Sequence, residues 1–507
     1  MSDAQAENHE MLAGRRIGQA WLRAFFDVRV PAPCTESYVV AGARRTETSG
    51  DRTTEFYPRS YATGDDPVAN LRFALRYEPL DLRVLVGAMA AMGPETIEAW
   101  VRAEPTGAYA RRAWFFYEHF LGCRLDLPDA TAGNYVFALD EDKHITGARR
   151  NSPRQRVADN LLGTPAFCPI VRRTSRLAER MALRIDEEAR ELVASYDPAL
   201  LARAVSYLYT KETRSSFAIE GESPSPQRAE RFVAALRRGA SFDAGSKAAI
   251  VDLQNAIVDP RYAARDWRDF QNFVGSMTVD FREDVHFICP RPQDVPLLMG
   301  GWMEAARRVM GPGVDPVVAA AVTAFAFVFI HPFEDGNGRI HRFLIHHVLS
   351  RTGFTPGGVI FPVSAAIVRD QRGYDEVLES FSQPLLAFTD WGWTAEREII
   401  VRNDTASLFR YFDATRFAEY LYDRVIDTVR IDLKEELGFL AVFDRALEAV
   451  RDIVDMPDRR ASLLIRLMLQ NGGRLSQAKR RQFDELSDAE IAAMEIALQR
   501  ARTASED

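Results

Sequence analysis

The stretch Val317 to Ile330 is apolar on every side, with Thr323 as its one polar residue. Asp315-Pro316 precedes it, an N-cap followed by proline at the first helical position. A helix without a polar stripe belongs in the centre of a bundle. It is also too short to cross a bilayer. The rest of the chain must therefore supply a shell of one-sided helices, and helical spacing recurs where such a shell would be. One pattern runs from Ala199 to Gly221, beginning near Pro198 and ending in the turn-forming GESPSP. Others cover Gln227 to Arg238, Ala244 to Val258 and Val295 to Met310. The expected class is mainly α.

At 507 residues the chain is too long for one compact core, and two or three domains are expected. Its 64 basic and 72 acidic residues give a net charge of −8, which argues against nucleic acid as the main partner without excluding a small basic module. Cys34, Cys123, Cys168 and Cys289 are scattered with no C-x-x-C pair, so reduced thiols are the expectation rather than zinc or a disulfide framework. The polar, acidic first residues do not read as a signal peptide, and a cytoplasmic protein without membrane association is expected.

Residues 1–175 read as an N-terminal mixed accessory domain of unassigned role. It has strand-like pieces such as Ser37 to Val40 and helical spacing over Leu82 to Val101 and Tyr109 to Gly122. The aromatics Trp114, Phe115, Phe116, Tyr117 and Phe120 read as a core face rather than a partner surface. The arginines 149, 150, 154, 156, 172 and 173 read as a solvated face. Three short helices are expected between Phe443 and Arg500, so residues 426–507 form a small helical C-terminal module.

The dodecapeptide HPFEDGNGRIHR, His331 to Arg342, follows directly on the apolar helix. Gly336-Asn337-Gly338 permits positive φ and turns backbone N–H groups toward one point, at the N-terminus of a helix that Gly338 opens. A phosphate or diphosphate suits such a cradle. Arg339 and Arg342, one turn apart, add charge-assisted bonds to phosphate oxygens. Asp335 is a hard oxygen donor suited to Mg²⁺, which favours one carboxylate plus phosphate oxygens and water. His331, at the rim, can take a proton from an attacking hydroxyl. Taken singly, each feature has a structural explanation: a capping histidine, a turn, a solvated arginine pair. Their contiguity favours attack on a nucleotide phosphate by an alcohol.

HPFEDGNGRIHR resembles the signature of the Fic (filamentation induced by cAMP) family, H-x-F-x-[DE]-G-N-G-R-x-x-R, at every fixed position. The resemblance implies a helical Fic core, here within residues 176–425, and transfer of AMP from ATP to a target hydroxyl (AMPylation), with ATP and Mg²⁺ as cofactors. Carried over by position, His331 is the base and Phe333 anchors the loop. Asp335 holds the metal, while Gly336, Asn337, Gly338, Arg339 and Arg342 bind phosphates. A kinase-like branch of the family carries lysine where Gly338 stands, and is rejected on that ground. Phe281 to Met299 resembles the family's flap hairpin plus the start of the next helix, a flap shorter than the family norm, with Val285, His286 and Phe287 as the edge strand that holds the target. Tyr374 resembles a family tyrosine near the adenine, a buried structural tyrosine being the alternative. The resemblance also brings a possible homodimer, with no interface identifiable.

SSFAIEGE, Ser215 to Glu222, fits the family's inhibitory motif [ST]-x-x-x-E-[GN] at Ser216, Glu220 and Gly221. It ends the helical pattern of about 199–221, which implies the subgroup whose inhibitory motif lies N-terminal to the core. Glu220 is then expected to pair with Arg342 and hinder productive seating of the γ-phosphate. The same glutamate can orient a water for removal of AMP. The alternative for Glu220 is a helix-end residue before a glycine cap. In the tail, Arg474, Lys479, Arg480 and Arg481 admit a helix-turn-helix-like DNA reader, though a charged solvent face is the commoner cause. Two functions remain open: a restrained adenylyltransferase, or a nucleotide-sensing, antitoxin-like regulator with a DNA-binding tail.

Overall fold

The computed structural model describes residues 14–277 and 283–503. The chain divides into two compact units that are discontinuous in sequence. One holds the residues up to Arg184, Ser216–Phe354 and Ile367–Asp423. The other holds Ile185–Ser215, Thr355–Ala366 and the chain from Arg424 onward. The N-terminal region and the segment carrying the dodecapeptide thus belong to one unit. Among the described residues no helix is long and apolar enough to cross a membrane.

The first unit opens with a four-stranded sheet in the spatial order Arg15–Ile17, Thr35–Val40, Arg52–Pro58, Arg45–Ser49. Its middle pair is parallel and the two flanking pairs are antiparallel. Helices follow, and two of them are started by an aspartate cap. The Asp66 carboxylate accepts from the Val68 N–H ahead of Pro67–Tyr77, and Asp81 accepts from Arg83 at the start of Leu82–Met92. The helical spacing over Leu82 to Val101 falls on two helices, Leu82–Met92 and Pro94–Ala103. Gly93 takes φ 77° and Pro94 restarts the chain, so the helical spacing spans a break. Trp114, Phe115, Phe116, Tyr117 and Phe120 of Ala108–Leu121 are buried, in a core shared with Leu71, Leu85, Met89 and Trp100.

The arginines of this region are not simply a solvated face. Arg154 donates to both oxygens of Glu118 at 2.9–3.1 Å, to Asp129 and to the carbonyls of Leu125 and Leu127, with its guanidinium over Trp114. Arg172 is held by Asp413 at 3.0 Å. Both tie sequence-distant segments together, which linear charge density does not reveal.

The central helix Pro316–Ile330 is buried along nearly its whole length, its first turn capped by Asp315 through the N–H groups of Val317 and Val318. It packs against Val295–Val309 on one side and Asn337–Arg351 on another, with Trp302 donating its indole N–H to the Thr323 carbonyl. The all-round apolar sequence has its consequence here: every face of this helix meets another element.

The second unit contains Lys434–Ile453, Asp458–Gln470, the short Gln477–Arg480 and Asp488–Thr503. They enclose an apolar core that includes Val450, Leu464, Met468, Phe483 and Met494. Arg480, one of the four basic tail residues, donates to the carbonyls of Phe483 and Leu486 and pairs with Asp488. It closes a turn of the module itself.

Candidate active site

The site begins where the central helix ends. His331 adopts a left-handed conformation, φ 52° and ψ 59°, which stops the helix and turns the imidazole out of its register. Its Nδ1 lies 3.1 Å from the Val328 carbonyl, so Nδ1 carries the proton and Nε2 is left as the acceptor. Burial and the nearby Arg268 cation push its pKa down to about 4, which keeps the ring neutral near pH 7.

The loop that follows is held from inside. Phe333 is buried against Trp267 and Phe327. The Asn337 side chain bonds back to the same residue twice, accepting from the Phe333 N–H at 3.1 Å and donating to its carbonyl at 2.8 Å. Gly336 takes φ 89°, and a Cβ there would stand 2.8 Å from Val258. Asn337–Arg351 then starts without any side-chain cap, and Gly336, Asn337 and Gly338 line a cavity of about 550 Å³. An uncapped helix N-terminus opening on a cavity is suited to an anion.

His331, Asp335, Arg342, Glu220 and Tyr374 line the same cavity, as do His286 and Phe287. Val285 does not. Tyr374 is buried, and burial raises its hydroxyl pKa. Arg339, expected as a phosphate ligand, does not line the cavity either. It is fully buried, with Nη2 2.6 Å from Asp335 Oδ1, Nε 2.9 Å from Glu220 Oε2, Nη1 3.3 Å from the Ile257 carbonyl and the guanidinium over Phe217. Two carboxylates draw it away from the helix N-terminus, and it organises the site from behind.

Arg342 is also buried. Its Nε donates to Ser216 Oγ at 2.7 Å; Nη2 donates to the Ser216 carbonyl at 2.8 Å and to Glu220 Oε1 at 2.6 Å. Glu220 therefore bridges both arginines, one through each carboxylate oxygen, whereas the sequence suggested Arg342 alone. The approach requires a glycine at 338, where a Cβ would lie 2.5 Å from Glu220 Oε1.

The flap is a hairpin of Phe273–Met277 and Glu283–Ile288, with a bulge at Val274/Gly275. It starts earlier than the expected Phe281; Phe281 and Arg282 lie outside the described residues. Its first strand, FVGSM, has no charged residue and weak alternation, which hid it in the sequence. Val274 lines the cavity opposite His286 and Phe287.

Two further organisers carried no motif. The Arg268 side chain donates to the carbonyls of His331 (2.8 Å), Phe270 (2.8 Å) and Pro290 (2.6 Å), and its backbone N–H donates to the Pro332 carbonyl, so it joins the start of the His331 loop to the base of the flap. Gln254 donates to the Asp335 carbonyl at 3.2 Å. Asp335 itself accepts from Arg339 and from the Gly336 N–H through Oδ1. Among the described residues no group of three or more His, Cys, Asp or Glu is gathered to hold a metal.

The Fic/DOC family model matches residues 245–349. The chain is similar to the protein adenylyltransferase Fic of Culex quinquefasciatus, 40% identical over 72 residues, 14% of each chain. It is similar to protein adenylyltransferase fic-1 of Caenorhabditis elegans, 46% identical over 50 residues, 10% of this chain and 9% of that one. The protein adenylyltransferase Fic of Nematostella vectensis is 36% identical over 89 residues, 18% of this chain and 19% of that one. The matched stretch thus spans less than a fifth of these relatives' length. Among solved structures, a Fic family protein from Desulfovibrio desulfuricans G20 aligns over 61% of this chain and 87% of that one, with 19% identity and a TM-score of 0.38. A Fic domain containing signaling protein from Bacteroides thetaiotaomicron VPI-5482 aligns over 52% and 97%, with 20% identity and a TM-score of 0.36.

Proposed function

We propose that this chain, which carries a Fic/DOC domain over residues 245–349, is a protein adenylyltransferase that moves AMP from ATP to a hydroxyl side chain of a target protein or of itself. The observation that carries the reading is a single cavity lined by a histidine with a free Nε2, an uncapped helix N-terminus and a buried arginine. A target hydroxyl directed at the α-phosphorus gives up its proton to His331 Nε2, while Nδ1–H stays on the Val328 carbonyl and fixes the ring. A new oxygen–phosphorus bond forms, the bond from the α-phosphorus to the bridging oxygen breaks, and pyrophosphate leaves. The N–H groups at Gly336 to Gly338 and the Arg342 guanidinium meet the phosphate charge. The flap strand Glu283–Ile288 offers main-chain groups to an extended target segment.

Asp335 lines the cavity with one carboxylate oxygen committed to Arg339 and the Gly336 N–H, which leaves Oδ2 toward an ATP-borne cation. One carboxylate with no denser cluster fits Mg²⁺, which completes its shell with phosphate oxygens and water. Bound there, Mg²⁺ would neutralise developing phosphate charge.

Glu220 and Ser216 restrain this site. Glu220 neutralises the cation that the γ-phosphate needs and repels that phosphate. Removal of AMP from a modified target, with Glu220 orienting a water, is a second activity of the same geometry. A cytoplasmic location, a homodimer and a three-part division at about residues 175 and 425 belong to the same proposal; DNA binding by the tail is not favoured.

Incubation with α- or γ-labelled ATP and Mg²⁺ tests the reading. Label transferred from the α position to protein, lost in His331→Ala by about 10²-fold or more, is expected. No label in either wild type or Glu220→Gly favours a nucleotide sensor instead.

A further inference from the structure

The hairpin Trp391–Trp393/Ile399–Val401 follows the last helix that lines the cavity, Gln371–Leu386, and contributes no residue to the cavity's lining. Its contacts lie elsewhere. Trp393 sets its indole edge-to-face on Phe273, the first residue of the flap, with ring centroids 5.5 Å apart. Val274 and its partner Phe287 line the cavity, whereas Phe273 and its partner Ile288 do not. Trp393 therefore supports the flap at a residue outside the cavity's lining.

The same hairpin reaches the other flap strand through its stem. Arg402 donates to the Asp390 carboxylate at 3.0 Å and its N–H to the Asp390 carbonyl at 2.8 Å; Asp390 N–H in turn donates to Asn403 Oδ1 at 2.8 Å. Arg291, three residues beyond the end of Glu283–Ile288, donates to the Asn403 carbonyl at 3.3 Å and to Asp404 at 2.6 Å. It is held in turn by Asp294. Both strands of the flap are thus tied at its base, where Phe273 pairs with Ile288: the start of the first strand through Trp393, and the chain just beyond the end of the second through Arg291. Arg268 fixes the inner side by joining Pro290 to His331.

We propose that the hairpin Trp391–Val401 is an outer clamp that sets the flap's distance from His331, with Trp393 and Arg291 as positioning residues for the hydroxyl-bearing acceptor. The inference rests on the adenylyltransferase reading. Nucleotide phosphates meet the helix N-terminus, which the hairpin does not touch, whereas an acceptor aligned on the flap moves with it. Displacing an acceptor by about 1 Å is enough to slow attack by up to about a hundredfold. The clamp governs acceptor alignment and leaves ATP binding alone.

The test uses the full chain in a Glu220→Gly background, following transfer of α-labelled phosphate to the protein over a range of ATP concentrations. Trp393→Ala is expected to lower the labelling rate at saturating ATP by about tenfold while KM for ATP stays within about twofold. Trp393→Phe, which keeps an aromatic edge on Phe273, is expected to recover most of the rate. Arg291→Gln, which cuts the other tie, is expected to behave like Trp393→Ala. Labelling at the parent rate in both Trp393→Ala and Arg291→Gln overturns the clamp alone, as does a parallel shift of rate and KM for ATP. Absence of label in the Glu220→Gly parent overturns the adenylyltransferase reading and the clamp with it.

Discussion

Replacing Glu220 tests the restraint most directly, and its size follows from the contacts. The carboxylate lies 2.6 Å from Arg342 Nη2 and 2.9 Å from Arg339 Nε, and it is one-quarter exposed while both guanidinium groups are buried. The Arg342 contact is a charged hydrogen bond, of a kind that contributes about 1.5–3 kcal/mol, and partial exposure places it in the lower part of that range; Arg339 Nε meets Glu220 as an ion pair without a hydrogen bond. Arg339 retains Asp335 at 2.6 Å when Glu220 is removed, so the change falls mainly on Arg342. About 2 kcal/mol of competition with the γ-phosphate is lost, which corresponds to about a 30-fold rise in productive occupancy. The assay is protein labelling from α-labelled ATP at subsaturating nucleotide, with wild type, Glu220→Gly and Glu220→Gln in parallel. Glycine is expected to give the full rise. Glutamine, which keeps the shape and loses the charge, is expected to give about a tenfold rise. Equal labelling of all three would refute the restraint. Glutamine as silent as wild type beside an active glycine variant would refute its electrostatic basis and leave a steric block. The unliganded glycine variant should also unfold at lower urea than wild type, because a buried cation has lost its carboxylate; MgATP should narrow that gap.

Ser216→Ala removes the acceptor 2.7 Å from Arg342 Nε and should raise labelling about fivefold, for a contact worth about 1 kcal/mol; a fall would show that Ser216 serves catalysis. Arg268→Ala leaves the carbonyls of His331, Phe270 and the buried Pro290 without their donor and should cost about 2–4 kcal/mol in urea unfolding, with labelling lost even in the Glu220→Gly background. An unchanged unfolding midpoint would contradict that role. Stability should also fall on acidification below about pH 6.5. His144 is fully buried, accepts from the Leu80 N–H through Nε2, and has its pKa pushed down to about 4, so between pH 6.5 and 4 the unfolded chain takes up a proton that the folded chain refuses. The contribution, at most about 3 kcal/mol, is fully present above pH 6.5 and lost as pH falls through 4. His331 and His341, pushed to about 4 and about 3 by burial, act in the same direction. Urea midpoints at pH 7 and pH 4.5 measure it, and a smaller drop in His144→Gln assigns the share of that ring.

Much of the core was legible because its signals are local. A helix apolar all round has one place to go, and the Asp315-Pro316 cap, the Gly336 turn and the start of the next helix are decided by residues within a few positions of one another. The pairing of Glu220 with Arg342 was legible for a different reason. Motif resemblance, not spacing, connected residues more than a hundred positions apart.

What sequence reasoning missed lies in contacts between distant segments. Arg339 and Arg342 share a helix face, and spacing assigned both to phosphate; only the fold shows Asp335, Glu220 and the Ile257 carbonyl drawing Arg339 out of the cavity. The Asn337 side chain bonds both the N–H and the carbonyl of Phe333, a loop-holding contact that no spacing pattern announces, while the residue also lines the cavity. Arg268 and Trp393 sit in no recognisable pattern, and they matter through a carbonyl 63 residues away and a ring on the flap. The sequence by itself determined the helical core, the cradle turn and the neighbourhood of the candidate base, because helix periodicity and caps are short-range. Tertiary structure alone decided which cation faces the cavity, which carboxylate bridges two arginines and what holds the flap, because burial and charge pairing depend on segments the chain brings together only when folded.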